Sequence, residues 1–183
     1  MPGTKLLPDF QAQLARLEKT IDEIAAFDMY MAPENAWCIA EVLEHIGIAN
    51  NTYIPKLTLA SSVAYRPALI LRLNPFCDVF GKMLIKAMDP ANRERRKIKT
   101  FDVFEPKEMD RSFDEIRTDV ALSFETLAVL VNKLHEHGLE NRISSPVNDL
   151  ICLRASHALE ILDHHTERHI LQILELVEYQ KNL

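Results

Sequence analysis

The stretch LDHHTERHILQ, residues 162–172, decides how the rest of the chain is read. It lies within residues 147–179, a run that contains neither Pro nor Gly. Leu150, Leu153, Ile161, Leu162, Ile170, Ile173, Leu174 and Val177 recur there at spacings of three, four, seven and eight. That period predicts one long amphipathic helix, with Ser145 as its cap and Pro146 at its first helical position. His165 and His169 are four residues apart, so their side chains stand roughly 40° from each other and one turn apart on one face. Two imidazoles so placed reach one metal ion without distorting the helix. Gln172 falls near the same stripe. His164 points roughly 100° away, toward solvent or an edge, and His157 lies roughly 80° off the stripe, so neither is expected to be a ligand.

The composition is that of a helical, globular protein. Hydrophobic residues make up 48% of 183 residues and charged ones 26%, and there are only four glycines. This length suits a single domain spanning residues 1–183. A net charge of −6 gives no basis for nucleic-acid binding as the main task. Cys38, Cys77 and Cys152 are an odd, scattered set without a CxxC pair, which points to a reducing compartment and not to a disulfide framework. The first residues lack the apolar core of a signal peptide, and no apolar run is long enough to span a bilayer. The expectation is a cytoplasmic protein without a membrane segment.

The preceding chain supplies the other helices. Residues 8–28 form a first helix with Pro8 in its opening turn and Leu14, Leu17, Ile21 and Ile24 on its apolar face. Residues 37–64 form a second, interrupted or bent near Pro55. His45 intrudes on the apolar stripe of that helix, with Glu41 one turn earlier on the same face. Residues 65–108 read as a long crossover, broken by Pro67, Pro75, Pro90 and Pro106, with one helix over 78–88. Arg93, Arg95, Arg96, Lys97 and Lys99 form a basic run there, either a solvated loop or a landing site for an anionic substrate, an acidic surface or a partner subunit. Residues 110–137 form a third long helix, capped by Ser112 with Glu115 or by Asp110, and closed by Gly138 as a left-handed cap. His135 and His137 in its last turn suit the helix dipole and are read as solvated.

Two strings carry a family resemblance. AWCIAEVLEHIGIA, residues 36–49, resembles the second-helix signature of the DinB/YfiT-like superfamily, in which a Trp precedes a metal-ligating His by eight residues, as Trp37 precedes His45. HTERHILQI, residues 165–173, resembles its last-helix signature, matched by His165, His169, Gln172 and Ile173. The resemblance implies an all-α, DinB/YfiT-like four-helix bundle with a long crossover between its second and third helices. It also implies a divalent metal held by His45, His165 and His169, and a homodimer. Some members are metal-dependent thiol S-transferases acting with low-molecular-weight thiols; others are hydrolases or isomerases. Several carry an acidic residue three positions after the second-helix His, where this chain has Ile48.

Three neutral imidazoles leave the charge of a divalent ion uncompensated and at least one position open, an arrangement that activates a bound water or thiol near neutral pH. Glu41 is the candidate catalytic proton acceptor or fourth ligand, and Cys38, in the first turn of its helix, is poorly placed to ligate. Imidazole suits zinc, nickel and iron alike. The sequence therefore supports a metal-dependent thiol S-transferase or hydrolase acting on a small-molecule substrate. The alternatives are a non-catalytic metal-binding or stress-response protein and a bundle whose histidines have become core hydrogen-bonders. An open coordination position lined by apolar residues would favour the first.

Overall fold

A computed structural model describes residues 7–92, 99–107 and 111–183. The basic residues 93–97 and Asp110 lie outside them, whereas Lys99 lies within. The described chain forms helices α1 (Phe10–Glu23), α2 (Ile39–Ala60), α3 (Leu69–Leu73), α4 (Cys77–Met88), α5 (Phe113–His137) and α6 (Ala155–Lys181), with a hairpin of β1 (Arg142–Ser144) and β2 (Cys152–Arg154) before α6. Short 3-10 turns cover Pro90–Asn92 and Asp102–Phe104. The protein is mostly helical, and among the described residues no helix is long and apolar enough to cross a membrane.

Local chemistry sets the boundaries. Asp9 accepts the Ala12 N–H at 2.9 Å and starts α1 at Phe10, two residues after Pro8. Glu41 accepts the Cys38 N–H at 2.8 Å, which starts α2 at Ile39 and leaves Trp37 ahead of it. Of the interruption or bend expected near Pro55, the interruption does not occur. Pro55 and Asn51 are both exposed, so the carbonyl deprived of its partner faces solvent and the helix continues to Ala60. The Ser112–Glu115 capping box forms as expected, with the Ser112 N–H donating to the Glu115 carboxylate at 2.8 Å. Gly138 is not left-handed: its φ is −156°. Glycine is needed there because a Cβ would lie 2.7 Å from the Ala60 carbonyl oxygen, where the end of α2 meets the end of α5.

The last helix is shorter than its periodicity suggests. Residues 142–154 form the hairpin, with Ile143 opposite Leu153 and Ser144 opposite Cys152. Ser145 and Pro146 belong to its turn and not to a helix start. Asn148 Oδ1 accepts the Leu150 N–H at 2.9 Å, and Asp149 Oδ1 takes Ser144 Oγ at 2.8 Å. Asn148 bonds the local backbone and Asp149 the Ser144 hydroxyl, turn contacts that compete with propagation of a helix. Leu150, expected on the apolar stripe, is exposed, while Leu153 is buried from the strand.

The large buried cluster draws on α1, α2, α5, α6 and the hairpin. Helix α2 packs on both α5 and α6, and α1 packs on the same two helices. From Val42 to Gly47 every residue of α2 is buried, so the helix is enclosed on nearly all sides. Gly47 admits the close approach of α5: a Cβ would sit 3.0 Å from Val120 Cγ2. Each fully buried Leu or Ile, such as Leu17, Ile46, Leu127 and Leu159, contributes about 1.5–3 kcal/mol of transfer free energy. Helix α4 lies across α6 and β2, tied down by Asp78 to Arg154.

Candidate metal centre

This enclosure puts His45 inside the protein, only 4% exposed, facing α6. His165 is 8% exposed and His169 half-buried one turn further along. The three imidazoles converge. His165 Nε2 lies 2.9 Å from His45 Nε2 and 3.2 Å from His169 Nε2. A tetrahedral ion bound at 2.0–2.1 Å would hold its nitrogens roughly 3.3 Å apart. No other group of His, Cys, Asp and Glu among the described residues draws together as a metal-binding set.

The outer ring nitrogens explain which lone pairs point inward. His45 Nδ1 donates to the Phe104 carbonyl oxygen at 2.6 Å. His169 Nδ1 donates to Gln172 Oε1 at 2.9 Å. Each bond places the proton on Nδ1, so in the neutral ring Nε2 is a bare acceptor. Three facing nitrogens then share at most one proton, from His165 Nε2. Whichever tautomer His165 adopts, its buried Nδ1 has no hydrogen-bond partner. Clustered inward lone pairs with oriented outer nitrogens are what a cation requires, and the outer partners raise ligand basicity as they fix each ring. The donor set fits a divalent metal ion.

Electrostatics agree. Burial pushes the His45 pKa below its usual value, against the pull of the Phe104 carbonyl. Burial, followed by the neighbouring His169, His45 and Arg168, holds His165 well below its usual value. Both rings are therefore neutral near pH 7, as ligation demands. Trp37 stands against the cluster, its ring 4.8 Å from that of His45.

The histidines open onto a cavity of about 170 Å³. Its walls are largely apolar, with Leu84 and Met88 from α4, Phe101 and Phe104 from the crossover, and Ile161 and Leu162 from α6. Tyr53, whose hydroxyl is pushed up to about 12 by burial, and Ser145 add polar atoms. Lys99 and Arg168 are the charged lysine and arginine side chains on the wall, and no carboxylate lines it among the described residues.

Comparison of the chain with models of known protein families, with curated proteins and with solved structures found no match. The site therefore stands on its own geometry. His45, His165 and His169 are brought together, the last two as their helical spacing suggested and His45 as the family resemblance implied. Glu41 is half-buried, absent from the cavity wall, and engaged by the Cys38 N–H. Cys38 is buried at the start of α2, outside the histidine set. Of the two positions expected for His164, solvent or an edge, the structure gives a half-buried one, with Nδ1 3.4 Å from the Ile85 carbonyl of α4. His157 is also held under α4, where a Cβ on Gly81 would meet its Nδ1 at 2.0 Å. His135 and His137 are exposed. Sequence reasoning passed over Arg168 and the Phe104 carbonyl. Arg168 follows His165 by three residues and so shares its face, a signal available in the sequence; a backbone carbonyl 59 residues from His45 leaves none.

Proposed function

We propose that this chain is a metal-dependent enzyme of the DinB/YfiT-like type, its four long helices α1, α2, α5 and α6 forming the bundle and α3 and α4 the crossover. The observation that carries the reading is the convergence of three imidazole Nε2 atoms, two with protonated outer nitrogens, at the end of an apolar cavity. A divalent ion there, zinc, nickel or iron, would supply an electrophile that lowers the pKa of a water or low-molecular-weight thiol placed against it. His45, His165 and His169 would hold it, Phe104 and Gln172 would orient them, and the apolar wall would exclude competing water. Tyr53 stays protonated at neutral pH and offers a hydrogen-bond donor. The reaction class is thiol S-transfer or hydrolysis on a small molecule. A homodimer fits the exposed apolar residues Leu69, Ile70 and Leu73 on α3, Phe76 at the cap of α4, and Val79 and Met83 on α4.

Metal content of protein purified without added metal is the first test, with His45→Ala, His165→Ala and His169→Ala beside His164→Ala and His157→Ala. Each of the first three should lose stoichiometric metal, and the last two should keep it. Unchanged metal in His45→Ala would sink the three-ligand reading. A screen of thiol acceptors, esters and amides on metal-replete and metal-free protein then tests catalysis. Turnover should follow metal content; its absence across the panel favours a metal-binding protein without catalysis.

A further inference from the structure

The cavity is marked as much by what its wall lacks as by what it holds. The chain carries a net charge of −6, with 27 acidic residues, yet no described carboxylate reaches this wall. Arg168 and Lys99 do reach it. Arg168 extends from α6, between the two ligating positions of that helix, and Lys99 from the crossover next to Phe101. The rest is hydrocarbon and aromatic ring, apart from Tyr53, Thr100, Ser145 and the imidazoles. Among the described lining residues a cationic ligand would meet only like charge. A neutral polar one would give up water for few partners.

Size narrows the choice further. Drug-sized ligands occupy cavities of about 300–1,000 Å³. Apolar cavities of about 150 Å³ accept a benzene molecule. At about 170 Å³ this cavity suits an apolar body of about six carbons. Guanidinium and ammonium groups beside such a body select an anion, and the planar fork of Arg matches a carboxylate.

We propose that the cavity binds a small monocarboxylate with an apolar body, an aryl or medium-chain acid of about six carbons, its carboxylate directed to Arg168 and Lys99. This deepens the enzyme reading by naming its substrate class, and it rests on that reading. Lys99 thereby becomes the described member of the basic run with a ligand-facing position.

The test is calorimetric titration of metal-replete and metal-free protein with benzoate, phenylacetate and hexanoate, against benzyl alcohol and benzylamine, at one ionic strength. The acids should bind at least tenfold more tightly than the alcohol in both forms, and the amine should not bind detectably. Arg168→Gln and Lys99→Gln should each reduce the preference for acid over alcohol. Met88→Trp, which fills the hydrocarbon wall, should weaken acid and alcohol together. Circular dichroism and metal content of each variant are read in parallel; if Arg168→Gln does not fold, Lys99→Gln carries the charge test. Equal affinity for acid and alcohol, a preference for the amine, or an acid preference that survives both charge variants would overturn the proposal. Absence of stoichiometric metal from the parent protein, with the acid preference intact, would overturn the metal reading alone.

Discussion

A ligating imidazole depends on the hydrogen bond at its far nitrogen, and Gln172 supplies that bond to His169. Gln172→Ala should lower metal affinity about 10–100-fold while the helical circular dichroism stays as in the parent. A competition titration with a chromophoric chelator reads it. A second consequence follows from the buried rings. His45 and His165 have pKa values below that of an unfolded His, about 6.5, so the unfolded chain takes up their protons first. The stability they permit is therefore complete above about pH 6.5 and falls as the pH drops, by about 1.4 kcal/mol for each unit of depression. Glu44 and Asp163, raised by burial, act in the opposite sense, gaining stability as acid neutralises them. Urea midpoints of metal-free protein at pH 7.5 and 5.5, compared with those of His45→Gln, isolate the histidine contribution; the variant should show the shallower fall. The grouping of the three histidines was legible because spacing along a helix puts His165 and His169 on one face, and because the Trp37–His45 interval and the HTERHILQI string carried the family resemblance that joined His45 to them. The orienting carbonyl of Phe104 was not, since its position is set by how the crossover returns to α2.

Helix α5 ends where α2 ends, and Gly138 makes room for the meeting. Gly138→Ala would press a methyl to 2.7 Å from the Ala60 carbonyl oxygen and 2.8 Å from Leu134 Cδ2. The backbone atom cannot rotate away, so a loss of about 1–3 kcal/mol is expected, read as a lower urea midpoint with metal stoichiometry retained. The sequence predicted a glycine here for a different reason, a left-handed cap. Periodicity located the long helices well because each carries an extended apolar face. It overran at the hairpin, where Leu150 and Leu153 continued the helical count by coincidence. Pairing of Ile143 with Leu153 and the turn bonds of Asn148 and Asp149 decided that segment, and neither is visible in a window the length of a helix turn.

The buried cluster joins four long helices through apolar side chains, so the protein should fold metal-free, unlike a zinc finger. Chelation should lower the melting temperature and leave the far-ultraviolet helical signal in place; collapse of that signal would mean that the ion holds the fold. The Trp37 ring beside His45 allows metal occupancy to be followed by fluorescence in the same sample. The residues of the proposed metal centre also differ greatly in when they are made. His45 and His165 are separated by 120 residues, so a growing chain carries one of the three proposed ligands well before α6 supplies the other two. No partial chain ending before α6 can capture the ion at this centre. In the proposed centre, loading would therefore follow the docking of α6 against α2, and the ion would be drawn from the metal supply met once both helices exist. A cell starved of the metal would accumulate folded, unloaded molecules that wait for it, and not unfolded ones bound for degradation.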